Sequence, residues 1–195
     1  MNRGEITELY FIAPIANVPS IVQNGILSHK LAGRIDHHSV AMIEIQERRK
    51  NKQIPGAGTL HDYANLYFDA HNPMLSRLRE RNNDICILRV DAEVLNLPGV
   101  IIADRNAASD WVRFWRVAEG LQTIDRERVF ARYRTHPDPY DEMGHKSEKC
   151  AEVLVPDRVM PRYLIGAYVA NGVALAQFQQ PNVGLPVSIR SDIFF

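Results

Sequence analysis

The residue whose setting points most directly to chemistry is Glu152, in the run KCAEVLVP (149–156). Its neighbours are mostly apolar, so the run is predicted to be a strand in which Glu152 and Leu154 share one face. Carboxylates are seldom placed in such surroundings without a partner or a function. Glu152 is therefore a candidate catalytic carboxylate, and the competing interpretation is a glutamate on the solvent face of an edge strand.

Two basic runs are candidates for binding phosphate. The first contains Arg48, Arg49, Lys50 and Lys52 and precedes the turn-rich stretch IPGAGTLHDY (54–63). The second interleaves arginines with aromatic residues: Arg126, Arg128, Phe130, Arg132, Tyr133 and Arg134. Arginine forks pair with phosphate, and aromatic rings stack on unpaired bases, so the second run suits single-stranded nucleic acid, with Arg132, Arg134 and Tyr133 as contacts. The alternative for the second run is a solvated helix face.

Several common sites are missing from the sequence. There is no HExxH, no cysteine pair at zinc spacing and no acidic calcium loop, and the adjacent His37 and His38 would point about 100° apart on a helix. Gly56 and Gly58 do not form a P-loop or a GxGxxG motif, and there is no GxSxG elbow. The sequence therefore predicts no metal site, no Rossmann or P-loop enzyme and no serine hydrolase of that type.

Composition sets the broad class. The chain has 195 residues, 46% of them hydrophobic and 24% charged, with 23 basic and 23 acidic side chains. Zero net charge excludes a protein that holds duplex DNA by bulk electrostatics but permits a local basic groove. Two cysteines, Cys86 and Cys150, are typical of a reduced compartment. With no apolar run of membrane-spanning length and no secretory signal, we expect a single globular domain over 1–195, located in the cytoplasm and without membrane contact.

The elements that must position these residues alternate between short strands and helices, which predicts an α+β fold. Strands are predicted over 9–12, 85–91, 99–104, 151–155 and 163–170. Helices are predicted over 39–53, 73–81 and 109–117, and after Asn17 as a capping residue, with Asn24-Gly25 as the stop. The stretches 54–63 and 135–148 are predicted to be loops.

Four stretches taken together resemble one family. LYFIAPIANVPSIVQNGILSH, IPGAGTLHDYANLYFDAHNPML, DRNAASDW and KCAEVLVPDRV occur in order over most of the chain. They are similar to the DarT family of DNA ADP-ribosyltransferase toxins from bacterial toxin–antitoxin pairs. The LHDYxxxYFxxxxPML and AExLV blocks are the distinctive parts.

The resemblance implies an ADP-ribosyltransferase-like fold, with a split central β-sheet and flanking helices. It implies NAD as the substrate, no metal, a thymidine or guanosine in single-stranded DNA as the acceptor, and a macrodomain antitoxin that reverses the mark. By motif, Glu152 is the catalytic glutamate and either Arg48 or Arg49 is the essential arginine. Asn17, Tyr63 and Tyr67 fall in the blocks that bind NAD.

One departure from the family pattern is Pro14, where many members have a histidine that contacts the NAD ribose. Proline offers no N–H and no side-chain donor, so another group must supply that contact or the contact is lost. Two other functions stay open at this point. The first is a non-catalytic nucleic-acid-binding module on the same fold, and the second is an NAD-dependent ADP-ribosyltransferase acting on RNA or protein.

Overall fold

A computed structural model describes residues 1–40, 42–133 and 135–195. Eight strands in these ranges form one sheet, in the order β10-β9-β4-β1-β3-β7-β5-β6, and two short strands, β2 and β8, pair separately. The strands are β1 (Glu8–Pro14), β2 (Ile26–Leu27), β3 (Tyr63–Tyr67), β4 (Ile85–Asp91), β5 (Ile101–Ala103), β6 (Phe114–Arg116), β7 (Glu152–Pro156), β8 (Arg158–Val159), β9 (Leu164–Val169) and β10 (Val187–Ile189). The β10–β9 pair is parallel and the other neighbours are antiparallel.

The large sheet is split between β1 and β3. Along its whole length β1 is paired with β4, from Glu8 opposite Asp91 to Pro14 opposite Ile85. With β3, by contrast, it shares a single registered pair, Tyr10 opposite Tyr67, although both strands lie wholly within the described ranges. The two halves therefore diverge on either side of these tyrosines. The predicted α+β fold with a split central sheet is confirmed.

Helices flank the sheet. They are α1 (Val18–Asn24), α2 (His29–Ala32), α3 (Ile43–Asn51), α4 (Pro73–Arg77), α5 (Val117–Thr123), α6 (Arg126–Val129), α7 (Pro139–Glu148) and α8 (Gly172–Gln179). Short 3-10 turns lie at Arg3–Glu5, Ile15–Asn17, Leu60–Asp62, Arg79–Arg81, Ala92–Asn96 and Pro161–Tyr163. The described ranges contain no helix that is both long and apolar enough to cross a membrane.

The main core covers one face of the sheet. Alternate residues of the central strands, including Leu9, Leu88 and Val153, pack there against residues of α1, α5 and α8. At the end of α1, Gly25 has a φ of +86°, and a Cβ at that position would lie 2.2 Å from the carbonyl oxygen of Val159. The predicted stop of this helix at Asn24-Gly25 is therefore confirmed, with close backbone approach as its cause.

The opposite face of the sheet carries two smaller apolar clusters with polar residues between them. One cluster includes Ile12, Ile87 and Phe194, and the other includes Ile54, Leu60 and Leu154. Because side chains alternate along a strand, Glu152, Tyr67 and Tyr10 all point to this face. The fold thus leaves its ionisable strand residues in the gap between two apolar clusters.

Two element predictions were wrong. The helix predicted over 109–117 is a turn followed by β6, because Phe114 and Trp115 pair with Ala103 and Ile102 at the edge of the sheet. The loop predicted over 135–148 contains α7, which begins at Pro139. Asp138 caps this helix by accepting a hydrogen bond from the amide of Tyr140. Aspartate followed by proline is a helix-start signal as well as a turn signal, and here the helix forms.

Candidate active site

Glu152 begins β7, which lies inside the sheet between β3 and β5. Its exposed fraction is 1%, so the alternative of a solvated edge-strand glutamate is wrong. The carboxylate accepts hydrogen bonds from the Arg49 guanidinium and from the backbone N–H of Ala107, which lies 2.8 Å from Oε1. A buried carboxylate held by a cation and a backbone donor is a preorganised charged group.

Arg49 reaches Glu152 from α3. Its Nη1 lies 3.2 Å from Oε1 and 3.0 Å from Oε2, and the residue is 7% exposed. Arg48 and Lys50 are exposed, because successive helix positions point about 100° apart. The structure therefore brings Arg49 to the glutamate and leaves Arg48 in solvent.

Polar contacts hold α3 in this position. The side chain of Gln46, in the middle of α3, contacts the ring of His61. Just beyond the end of the helix, Lys52 Nζ donates a hydrogen bond to the carbonyl oxygen of Ser109 at 2.8 Å. The helix has few apolar residues to bury, so these contacts and the Arg49–Glu152 ion pair fix its orientation.

The Ala107 N–H is aimed at Glu152 by a turn in the DRNAASDW segment. The side-chain oxygen of Asn106 accepts from the amide of Ala108 at 2.9 Å, an Asx turn that leaves the intervening amide unpaired within the turn. This segment is one of the four stretches that carry the family resemblance, but no functional residue was predicted within it. A backbone donor has no side-chain signature, and only the Asn106 turn signal was available to suggest it.

Tyr67 lies directly opposite Glu152 in the β3–β7 ladder, and Tyr10 lies directly opposite Tyr67 across the split. These three side chains form a row on one face of the sheet. Burial, and then the Glu152 carboxylate, raise the pKa of Tyr67 well above its ordinary value, so its hydroxyl stays protonated. Tyr67 thus offers a neutral ring and an O–H beside the buried carboxylate.

Tyr63 is on the same strand and face as Tyr67 but four residues away, about 13 Å along the strand. It is buried at the cluster of Ile54, Leu60 and Leu154, opposite Pro156. The structure does not bring Tyr63 to Glu152. Its neighbour Asp62 holds the local backbone by accepting from Thr59 and pairing with Lys30 at 2.8 Å, contacts that lower its pKa to about 2.

Two histidines border this site. The rings of His29, on α2, and His61, in the turn before β3, have centroids 4.0 Å apart. Desolvation lowers both pKa values, the two rings' neighbouring histidines lower them further, and the positive charge of Arg49 adds to the effect. Nε2 of His61 lies 3.1 Å from Oε1 of Gln46, an oxygen that only accepts, so Nε2 carries the proton. These histidines were not among the predicted site residues, because 32 positions of sequence separate them.

Asn17 does not cap α1 with its side chain, contrary to the prediction. The side-chain amide of Asn17 instead makes two hydrogen bonds with the backbone of His38. Nδ2 of Asn17 donates to the His38 carbonyl oxygen at 2.8 Å, and the His38 N–H donates to Oδ1 of Asn17 at 3.0 Å. This long-range contact takes the place of the cap and holds the segment before α3 against the 3-10 turn Ile15–Asn17.

The second basic run divides into structural and exposed residues. Arg128 is paired with Asp141 and Glu148 of α7, so it joins two helices. Arg132 is exposed, and Tyr133 is 78% exposed. Arg134 lies outside the residues that the structure describes.

This arrangement can stabilise positive charge and accept a proton at Glu152, beside a cationic donor, with an aromatic ring opposite. Within the described ranges no group of three or more His, Cys, Asp or Glu residues could hold a metal ion. The split antiparallel sheet with a buried glutamate at the split defines the class of fold shared with ADP-ribosyltransferase structures.

The particular family follows from the comparison with known proteins. The family model described as "DarT: ssDNA thymidine ADP-ribosyltransferase, DarT" matches residues 10–195. The chain belongs to the DarT family, as the sequence motifs predicted.

Relatives with experimental structures have the same fold. A DNA ADP-ribosyl transferase–DNA ADP-ribosyl glycohydrolase fusion protein of Thermosipho africanus is 32% identical over 96% of this chain, and the match covers 49% of that protein. The chain therefore spans about half the length of this curated relative. Thermus sp. 2.9 DarT in complex with ADP-ribosylated ssDNA matches with a TM-score of 0.81 and 28% identity, covering 98% of this chain and 97% of that one. The same protein in complex with NAD+ matches with a TM-score of 0.76 and 26% identity, with 98% of each chain covered.

Proposed function

We propose that this protein transfers ADP-ribose from NAD to a base in single-stranded DNA. The observation that carries the proposal is the buried Glu152, held by Arg49 and the Ala107 N–H at the split of the sheet, opposite Tyr67. Support comes from the family, whose description names thymidine in single-stranded DNA. Thymidine is the favoured acceptor base, and guanosine is the alternative.

Transfer of ADP-ribose requires a negatively charged group where positive charge develops in the reaction. Breaking the nicotinamide–ribose bond builds cationic character on the ribose, and a fixed carboxylate such as that of Glu152 stabilises it. Glu152 also has lone pairs left after its contacts with Arg49 and Ala107, which suit a ribose hydroxyl or the proton of the attacking base nitrogen. Tyr67 supplies a ring face for the nicotinamide, and the remaining donors of Arg49 suit the pyrophosphate or the target base.

The acceptor side is assigned to the exposed residues Arg132 and Tyr133, with Arg134 in the same run. A base must leave its stack to reach a buried carboxylate, which favours single strands. Such strands need a local set of phosphate and stacking contacts rather than a large net charge, in agreement with the neutral composition.

The biological role proposed here is that of a toxin whose mark a macrodomain glycohydrolase removes. The support is the Thermosipho africanus relative, in which a DNA ADP-ribosyl transferase and a DNA ADP-ribosyl glycohydrolase are one fusion protein. We place the reaction in the cytoplasm, the compartment that holds both NAD and accessible DNA.

The deciding experiment combines the protein, NAD and defined single-stranded oligonucleotides that differ in one base, with mass spectrometry to locate an ADP-ribose adduct. We expect an adduct on one base type and none with Glu152→Gln. Matched RNA oligonucleotides and a protein mixture test the other acceptor classes. DNA binding without an adduct or NAD turnover would instead support the non-catalytic module.

A further inference from the structure

Lys52 lies directly after α3 and contacts the DRNAASDW segment. It is three positions beyond Arg49, so the two side chains leave the helix on the same side. Arg49 reaches the carboxylate of Glu152, with Nη1 3.0 Å from Oε2. Lys52 Nζ donates to the carbonyl oxygen of Ser109 at 2.8 Å. The end of α3 therefore contacts two neighbouring parts of the site through two cations.

Ser109 closes the turn that presents the Ala107 N–H. The Ser109 N–H donates to the carbonyl oxygen of Asn106 at 2.9 Å, which makes a tight turn with Ala107 inside it. The Asn106 N–H donates to the carbonyl oxygen of Ser147 at 2.8 Å, near the C-terminal end of α7. The turn is thus held at its beginning by α7 and at its end by Lys52.

The backbone of Lys52 holds a third segment of the site. Its N–H donates to the carbonyl oxygen of Arg49 at 3.3 Å, and its carbonyl oxygen accepts from the N–H of Leu60 at 3.1 Å. Leu60 begins the 3-10 turn that contains His61 and leads into β3, the strand of Tyr67. Lys52 therefore joins α3, the DRNAASDW turn and the entry to β3.

The Lys52–Ser109 hydrogen bond joins the same two segments that supply the donors to Glu152. Arg49 belongs to one segment and the Ala107 N–H to the other, and Lys52 and Ser109 are 57 positions apart in sequence. A hydrogen bond from an ammonium group is stronger than one between neutral groups. Reacting groups must be held within about 0.5 Å of their productive geometry. Release of Ser109 would let the Ala107 N–H move relative to Arg49, and the carboxylate would lose its fixed orientation.

We propose that Lys52 is a positioning residue that keeps the two donors of Glu152 in fixed relative positions and thereby sets the rate of transfer, an inference that rests on the proposed function. Lys52 acts through Arg49 and the Ala107 turn, and not through the phosphates of NAD. The two roles differ in their kinetics. Loss of positioning lowers kcat, whereas loss of a phosphate contact that is equally strong in ground and transition states raises KM.

The kinetic test uses substitutions at two lysines of the first basic run. Lys52→Met keeps the aliphatic stem and removes the ammonium, and it should lower kcat for DNA modification about 10- to 100-fold with little change in KM for NAD. Lys52→Arg keeps a donor and should recover most of the lost kcat. Lys50→Met removes an exposed charge two positions away and is the matched control, with kcat and KM unchanged. A raised KM at unchanged kcat in Lys52→Met, or equal effects of Lys52→Met and Lys50→Met, would overturn the assignment.

Amide hydrogen exchange at Ala107 gives a readout that requires no activity. This N–H is protected by its hydrogen bond to Oε1 of Glu152 at 2.8 Å, so Lys52→Met should speed its exchange about 10-fold and Lys50→Met should leave it unchanged. Denaturant unfolding of the same variants shows whether the change is local. Unchanged exchange at Ala107 in Lys52→Met would overturn the positioning role. If the wild type modifies no DNA but exchange at Ala107 still responds to Lys52→Met, the proposed function fails and the structural role of Lys52 stands.

Discussion

Arg49 contacts both carboxylate oxygens of Glu152 through a single nitrogen, Nη1, rather than through the two-nitrogen fork that arginine commonly uses. The geometry has two consequences. It fixes the carboxylate between a cation and the Ala107 amide, and it leaves the Nη2 and Nε edges of the guanidinium for other acceptors among the substrate groups. The ion pair is therefore both a structural bond of α3 to the sheet and part of the proposed reaction site.

Glu152→Gln should abolish most transfer while the protein stays folded. Gln keeps an oxygen for the Ala107 N–H and has nearly the same volume, but it has no charge to stabilise the ribose cation. We expect a loss of at least about 100-fold in DNA modification. Glu152→Ala should in addition lower the free energy of unfolding by about 3–5 kcal/mol, because Arg49 is then buried without its partner. Denaturant unfolding of both variants separates the two effects, and near-normal modification by the Gln variant would remove Glu152 from the mechanism.

Arg48 and Arg49 provide a matched pair of substitutions on one helix. Arg49→Ala should lower DNA modification by at least about 100-fold, since it removes the cation beside Glu152. Arg48→Ala should change it by less than about threefold, because an exposed charge interacts weakly through solvent. Modification rates of the two variants under identical salt give the comparison. Equal, mild losses at both positions would contradict a role for this arginine pair in catalysis.

The sequence could predict Glu152 and the strands around it because an acid among apolar residues is a local signal. The family resemblance also narrowed the essential arginine to two neighbouring positions, and helix geometry predicted that only one of the two could face the site. The sequence could not predict the Ala107 N–H, which belongs to the backbone, or the meeting of His29 with His61, which depends on how α2 packs on the turn before β3. The errors at 109–117 and 135–148 have the same origin, because sheet pairing and capping decided between local signals that favoured either structure.

The stability of the protein should depend on His29 and His61 as the pH falls to and below about 6.5, the ordinary pKa of histidine. Both pKa values are lowered in the folded state, so the unfolded chain binds more protons below the ordinary value of 6.5. The stabilising contribution is therefore fully present above that pH and decreases as the pH falls. His61→Gln should reduce the pH dependence of the free energy of unfolding in this window, where carboxylates stay ionised. His136→Gln, at a residue that precedes α7 and contacts His145 of that helix, is a control for general effects of removing a histidine. An identical pH profile for wild type and His61→Gln would contradict this account.

The exposed residues Arg132 and Tyr133 should bind single-stranded DNA without acting on NAD. If Arg132 contacts one phosphate, Arg132→Ala should flatten the dependence of log Kd on log salt by about 0.7. If one base stacks on Tyr133, Tyr133→Ala should weaken binding by about 1–3 kcal/mol at every salt concentration.

Hydrolysis of NAD in the absence of DNA should be largely unchanged in both variants. Arg79→Ala removes another exposed arginine, just beyond the end of α4, and serves as the control for net charge. Fluorescence anisotropy with one labelled oligonucleotide at several salt concentrations measures the affinity of all three variants. If Arg132→Ala matches Arg79→Ala in affinity and in salt dependence, the segment around Arg132 is a solvated surface and does not bind DNA.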